Sequence, residues 1–489
     1  MLSIIRSAKN TFALVNRIPA EVLSLIPDYL EIQDAELIML THVCRVWREI
    51  FTSRSSLWVS LHCRDVEKTR VYIQRSKSSP LKVSLTTSNY HSNALLLVAP
   101  HINRLSSLSA WGSADIVPDL IRNFSDPAPL LQRLKIGPLS DNTHTPTLFA
   151  TLFDGDTSSL RELFIAGVTH LPWRNMSNLK VLELYHDPGI ADALFVTQLL
   201  DFIENAPLLS DTTLYSIPAS SNIPSRRVTP IPHLKKLTLY SPSEGSTFLR
   251  YLSIPAGASL VIDFLRRGGS PSIPGCLPQN FDNLNNLSDI TSISLLFGPE
   301  AKHARFSGPS GQFYLGGTGV DGVPSSHALQ DLIFQSLQKF SPSRTQRLAV
   351  TACTSFPSPI IETLLSMNDL RTLTLIECEH RPFIYVLDPE VCPGAVACPN
   401  LEDLILYTAG LDRLRTPELE EMASARAERH PKRLSIMIVS LGKMLPEEEL
   451  LALRKCFSCV DCKVAVESPK WDALPGDGMM MEGIDWWRR

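Results

Sequence analysis

The sequence predicts an α/β chain: a three-helix module at the N-terminus, followed by an irregular solenoid of short strands and helices curved as a horseshoe. Three observations predict it. The stretch Arg17–Trp58 carries apolar residues at helical spacing. From about residue 80 the pattern L-x-x-L-x-[L/I] recurs along the chain. Helix-like segments fall between its copies. At 489 residues the chain exceeds what one compact core usually holds, so two or more units are expected. The expected divisions are a lead-in at 1–14, the helical module at 15–62, a linker at 63–90, the repeat-bearing part at 91–468 and a flexible tail at 469–489.

Composition narrows the partners. Hydrophobic residues make up 44% and charged residues 20% of the chain, as in an ordinary globular protein. A net charge of -4 gives no electrostatic case for nucleic acid or an anionic membrane as the main partner. No apolar run approaches the ~20 residues of a membrane-spanning helix. Ten scattered cysteines lack the density of a disulfide scaffold, which favours a reducing compartment, cytoplasm or nucleus. The sequons at Asn123, Asn175 and Asn286 would then go unused. Arg6, Lys9 and Arg17 precede the first acid, Glu21, a faint presequence-like pattern that also fits a short solvated helix.

The module is read residue by residue. Pro19 suits a first helical position, and Glu21 sits in the first turn, where the helix dipole favours a carboxylate. Val22, Leu23, Leu25 and Ile26 follow. Pro27 lacks a backbone donor and is expected to end or kink the helix. Tyr29 and Leu30 resume the apolar face, and Asp34 is placed to cap the next helix. Leu37, Leu40, Val43, Cys44, Trp47, Ile50 and Phe51 form one stripe, with Arg45, Arg48 and Glu49 off it. About 45 residues is short for a self-sufficient core, so a partner covering the apolar side would stabilise the module. Periodicity alone also fits a helical hairpin capping the next domain.

Pro-x-Glu-Val-Leu, then Val43-Cys44-Arg45-x-Trp47-Arg48, then Leu57-Trp58, in this order and spacing, resemble the F-box. The resemblance is close over residues 15–60. It extends loosely to Thr69–Leu85, which looks like the segment following the F-box in large fungal families. Pro27 departs from the F-box pattern. The resemblance implies docking onto the Skp adaptor of a cullin-type ubiquitin ligase, with Pro19, Val22, Leu23, Ile26, Leu30, Val43, Cys44 and Trp47 as the adaptor-facing or module-core set.

The repeat pattern begins at Leu131, Leu160, Leu179, Leu234, Leu370 and Leu401, with a degenerate copy at Ile290. The larger gaps are near multiples of 27 to 28, and the strand-like runs Leu260–Phe264, Phe313–Leu315 and Arg347–Thr351 fall within them. This resembles the leucine-rich repeat, whose units are ~20–29 residues with one strand each. The second and third apolar positions would point into the core, and the intervening positions to a solvent-facing concave side. Helices are expected at Thr197–Asn205, His327–Phe340, Ile360–Met367, Glu418–Arg429 and Glu447–Lys455. The Asn or Cys usual after the last leucine occurs once, as Cys378. Ser216–Pro232 and Gly268–Pro278 read as Pro/Ser-rich insertions. An ordinary α/β domain with Leu-rich strands is the competing reading.

Chemical motifs are few. Cys456-x-x-Cys459-x-x-Cys462 has a spacing that thiolate metal sites use, but no fourth ligand is near in sequence; free thiols, half-buried or buried, are the expectation. Cys456 should end a helix and Cys462 open a strand. Gly317-Thr318-Gly319-Val320-Asp321-Gly322 matches G-x-G-x-x-G, yet Pro324-Ser325-Ser326 intervenes where a dinucleotide site needs a helix. Trp486-Trp487 could anchor a partner or end a disordered tail. No cofactor, metal or catalytic residue is expected. The resulting expectation is a substrate-recognition subunit of an SCF-type ubiquitin ligase. It would bind the Skp adaptor, through it a cullin, and a protein client through the repeats. The alternatives are a non-ligase scaffold and, more remotely, a metal-binding protein at the three cysteines.

Overall fold

The computed structural model describes residues 14–29, 34–86, 91–111, 120, 122–137, 152–155, 158–168, 176–186, 195–217, 228–240, 248–263, 278, 282–298, 301–318, 333, 336–337, 342–353, 358–391, 396–409, 414–430, 432–441 and 443–465. Two compact units divide the chain, Met1–Pro218 and Ala219–Arg489. Both are mixed α/β and are built on mostly parallel sheet.

In the first unit, a 3-10 turn at Leu14–Arg17 precedes α1 (Ala20–Tyr29), α2 (Asp34–His42) and α3 (Arg45–Ser53). The ladder then starts with β1 (Ser60–Leu61) and, after α4 (Val66–Ser76), continues as β2 (Leu81–Thr86). After α5 (Ser92–Val98) come β3 (Leu105–Trp111), β4 (Arg133–Gly137), β5 (Glu162–Val168) and β6 (Val181–His186). Last are α6 (Phe195–Glu204) and β7 (Asp211–Tyr215). Each strand from β1 to β7 pairs parallel with the next in chain order. Segment 63–90 is therefore not bare chain: it holds α4 and β2.

Leucines set the register. The middle apolar position of each copy lies opposite the next, Leu108 to Leu134 to Leu163 to Leu182. The third does likewise, Ile136 to Ile165 to Leu184 to Leu214. All are buried, so each rung adds two aliphatic side chains to one continuous core. The first leucine of a copy closes a turn: Leu131, Leu179 and Leu209 donate N–H to the carbonyl three residues back. The next two N–H groups both reach the previous rung, as Arg161 and Glu162 do to the Gln132 carbonyl and Lys180 and Val181 to that of Arg161.

The second unit repeats the device. The strands β8 (Thr229–Pro230) and β10 (Leu252–Ser253) pair with each other, flanking β9 (Lys236–Tyr240) in sequence. Next come β11 (Ser259–Asp263), β12 (Ser292–Phe297), β13 (Ala301–Gly308), β14 (Gly311–Thr318) and β15 (Arg347–Thr351). Then α7 (Ser358–Ser366), β16 (Thr372–Ile376), α8 (Arg381–Leu387), β17 (Asp403–Thr408), α9 (Thr416–Arg429), β18 (Ser435–Leu441), α10 (Glu447–Cys456) and β19 (Cys459–Ala465) alternate strictly. From β15 to β19 every pairing is parallel and in chain order.

One insertion breaks that order. β12, β13 and β14 form an antiparallel meander, with β14 parallel to β11 and β12 parallel to β15. The degenerate Ile290 copy thus supplies a strand, but two further strands separate it from the preceding rung. Gly311, at φ +141°, makes the β13–β14 turn; a Cβ there would lie 2.6 Å from the Ala258 carbonyl oxygen and 2.9 Å from Asn286 Cβ.

Several sequence expectations need correction. Intervening strand positions were expected to face solvent, but Phe164, Thr238, His303 and Tyr314 are buried. Phe164 lies against Trp111, with ring centroids 5.1 Å apart, so aromatic packing covers part of that face. The helix expected at Thr197–Asn205 starts earlier, at Phe195, and that expected from Glu418 starts at Thr416. Most of His327–Phe340, residues 218–227 of the expected insertion Ser216–Pro232 and residues 268–277 of Gly268–Pro278 lie outside the described residues; the strand β8, Thr229–Pro230, falls within the first of these insertions.

Candidate partner-docking site

The helical module separates its apolar residues into two sets. Leu23, Trp47 and Phe51 form a buried cluster, with Ile26, Leu40, Cys44, Ile50 and Leu57 packed partly against it. Trp47 meets Phe51 edge-on at 5.6 Å between centroids. The second set faces out. Nine of the eighteen large exposed apolar side chains among the described residues lie between Leu14 and Val46. That density, in a segment of some thirty residues, is what an unpartnered docking surface looks like. Val22, Leu25 and Tyr29 stand at i, i+3 and i+7 of α1, exposed by 52%, 43% and 81%. Met39, Val43 and Val46 are likewise exposed, by 62%, 54% and 44%, across the α2–α3 corner.

At that corner the apolar stripe from Leu37 to Phe51 passes from one helix to the next rather than along one continuous helix. α2 ends at His42, and Cys44, with φ -158° and ψ 177°, is the extended N-cap of α3. No side chain caps α3 there; Arg48 Nε instead donates across the corner to the Thr41 carbonyl at 3.0 Å. Pro27 neither ends nor visibly breaks α1, which runs on to Tyr29 with Pro27 buried inside it. The ring removes one donor near the helix end, and Arg54 supplies guanidinium donors there, to the Ser24 carbonyl and to Asp28. Pro19 precedes the first helical residue rather than occupying it; its carbonyl accepts from Val22 and Leu23 N–H, both at 3.0 Å. Asp34 is the first residue of α2 rather than its cap.

Of the eight residues singled out from sequence, Leu23 and Trp47 are buried, Ile26 and Cys44 half-buried, and Pro19, Val22 and Val43 exposed. Leu30 lies outside the described residues. Sequence reasoning missed Leu25, Tyr29, Met39 and Val46 as members of the exposed stripes. The signal was present: Val22, Leu25 and Tyr29 share a helical face that Leu23 does not.

The module is joined firmly to the ladder. Trp58, fully buried, donates Nε1–H to the Phe51 carbonyl at 2.9 Å and packs edge-on to Tyr72 of α4 at 4.9 Å. The Arg75 guanidinium lies over the Trp58 ring at 4.3 Å. Lys82 N–H reaches the Val59 carbonyl, where β1 enters the sheet beside β2. Cys63, just beyond, is buried, and burial pushes its thiol up to about 12, so it stays protonated at neutral pH.

The other candidates disperse. Among the described residues no group of three or more His, Cys, Asp or Glu side chains is placed to hold a metal. Cys456 ends α10 as expected, and the Ser424 hydroxyl donates to its sulfur at 3.3 Å. Cys459, rather than Cys462, opens β19, and it is exposed rather than buried. Odd spacing along a strand sends Cys459 and Cys462 to opposite faces. Gly317 and Thr318 end β14; the rest of that glycine motif and Trp486-Trp487 lie outside the described residues. Asn286 is buried. No helix of the described residues is long and apolar enough to cross a membrane.

The three-helix module thus combines a small aromatic core with an exposed apolar stripe and continues directly into the sheet. The F-box-like family model matches residues 15–64, the segment from the 3-10 turn to just past β1. This chain carries an F-box-like domain and is in that sense an F-box protein, which points to docking on a Skp-type adaptor. No curated protein matches the chain.

Proposed function

We propose that this protein is a substrate-recognition subunit of an SCF-type ubiquitin ligase. It binds the Skp adaptor through α1–α3, the adaptor brings a cullin, and the two sheet-bearing units hold a protein client. The observation that carries the reading is the split within residues 15–64: Leu23, Trp47 and Phe51 inside, Val22, Leu25, Val43 and Val46 outside.

The chain-order parallel ladder, the leucine register and the repeated turn support a degenerate leucine-rich-repeat solenoid. Cys378, at the position where such repeats place Asn or Cys, donates its S–H to the Val350 carbonyl of the neighbouring rung at 3.2 Å. The mechanism is proximity. Holding a client near a recruited conjugating enzyme raises the effective concentration of its lysines, and no catalytic residue is needed in this chain. The reading places the protein in the cytoplasm or nucleus.

Co-expression with a Skp adaptor and a cullin, followed by affinity capture, tests this. A ternary complex lost in Trp47→Ala is the expected result. Adaptor capture without cullin would favour a non-ligase scaffold, and no adaptor capture would overturn the docking assignment.

A further inference from the structure

The antiparallel meander of the second unit builds a polar cluster that the docking role does not use. Tyr240, Asp263, Gly316 and His303 stand in register across β9, β11, β14 and β13. Strand alternation puts Tyr314, two residues before Gly316, on the same face. The Tyr314 hydroxyl hydrogen-bonds to His303 Nδ1, and their ring centroids are 5.3 Å apart. Gly316 makes room for this pair: a Cβ there would lie 2.1 Å from His303 Nδ1 and 2.7 Å from the Tyr314 hydroxyl.

Asp263 is the unsettled member. It is half-buried, and its Oδ1 is buried with no hydrogen-bond partner. A buried carboxylate oxygen with no donor is costly, and such groups in native proteins are normally paired. The polar side chains of other strands on its face are Tyr240, Thr238 and Lys236 of β9, Tyr314 and Gln312 of β14, and His303 and Arg305 of β13; Lys236 stands opposite Ser259, four residues along the strand from Asp263. Arg305 does not neutralise it: its guanidinium donates to Gln312 Oε1 at 3.3 Å. Lys302 alternates to the other face of β13.

We infer that this face, with Asp263 as the anion and Tyr240 and Tyr314 as aromatic walls, binds an arginine side chain of a protein partner. A guanidinium suits it in two ways at once. Its planar fork donates to a carboxylate, and its face stacks on aromatic rings; an ammonium does only the first in the same directed manner. The inference rests on the client-receptor reading and narrows the client to one presenting an exposed arginine.

Protonation supplies a signature. Burial raises the Asp263 carboxyl to about 7, while burial lowers His303 to about 4, so His303 stays neutral across the range in which Asp263 ionises. Burial and the neighbouring Asp263 and Tyr240 push the Tyr314 phenol far up, so it too keeps its proton. Arginine binding needs the carboxylate and weakens as pH falls through that value.

The test is saturation-transfer NMR on the full chain, with N-acetyl-arginine amide as probe and the citrulline and lysine amides as comparators. The expected result is a response to the arginine amide that the citrulline amide does not give and the lysine amide gives more weakly. It is lost in Asp263→Asn and falls as pH is lowered from about one unit above 7 to about one unit below. Equal responses to arginine and citrulline, equal responses to arginine and lysine, no response at all, or no change with pH would each overturn the inference. The comparators and the pH series use the unmutated chain, so they decide the matter even if Asp263→Asn folds poorly. Skp-adaptor capture is read on the same preparation. Capture without an arginine response sinks this inference alone, and a response without capture sinks the docking reading alone.

Discussion

The exposed stripe on α1 offers the sharpest test, through Val22→Ser combined with Leu25→Ser. These side chains are 52% and 43% exposed, so roughly half of each remains in water until a partner arrives. Fully burying a Val or Leu is worth ~1.5–3 kcal/mol, so covering the remaining half contributes about 1 kcal/mol each. The pair should therefore weaken adaptor binding by about 2 kcal/mol, roughly thirtyfold in Kd. Folding should hardly change, because exposed substitutions usually stay within about 0.5 kcal/mol. Leu23→Ala is the control with the opposite signature. Leu23 is 1% exposed, and removing its side chain from the cluster with Trp47 and Phe51 should cost ~2–5 kcal/mol of stability. Isothermal titration with a purified Skp adaptor and thermal melting read the two effects separately. If Val22→Ser/Leu25→Ser binds like the unmutated chain, the exposed stripe is not the docking surface. If it melts as low as Leu23→Ala, the division between core and surface is wrong.

Three more predictions concern the second unit. Arg426 of α9 is buried and donates to the carbonyls of Leu387, Ala397 and Cys398 at 3.2, 2.8 and 2.9 Å; Arg426→Leu leaves all three without this donor and should cost ~3–5 kcal/mol in urea denaturation. A loss under about 1 kcal/mol would mean that other donors replace the guanidinium. Gly311→Ala should lower the melting temperature, since both its φ and the space around it exclude a Cβ; an unchanged melt would contradict the tight β13–β14 turn. Asp263 makes stability pH-dependent. Its folded carboxyl is raised from 3.8 to about 7, so the folded chain holds a proton the unfolded chain releases. That contribution is full below 3.8 and fades as pH rises to about 7. Without ligand, the unmutated chain should lose stability relative to Asp263→Asn across that window, and parallel melting curves would refute the assignment.

Much of this architecture is legible in the chain because leucines carry it. Six copies of L-x-x-L-x-[L/I] became strands at β4, β5, β6, β9, β16 and β17, since the second and third apolar positions alternate onto the core face. The polar residue just before the first leucine ties successive rungs: Ser159 Oγ reaches the Pro129 carbonyl, Asn178 Nδ2 that of Ser158 and Asn400 Nδ2 that of Asn368. The meander is not legible in the chain because β13, with Lys302, His303 and Arg305 in its run, lacks aliphatic alternation and is held by cross-strand pairing with β12 and β14. In the docking module, composition located the helices but not their break. Val43 and Cys44 continue the apolar spacing, and nothing local marks the extended Cys44 that turns α3 away from α2. The same continuity hid the exposed stripe, because Val22 and Leu23 are adjacent in sequence but differ in burial.

The account stands most directly on where the adaptor touches this chain. Hydrogen–deuterium exchange of the full-length protein, with and without a saturating Skp adaptor, measures that. The account predicts added protection in α1 and across the α2–α3 corner, where Val22, Leu25, Met39, Val43 and Val46 are exposed, and little change in β2 to β7. Protection confined to the sheets, or none in residues 15–64, would contradict it.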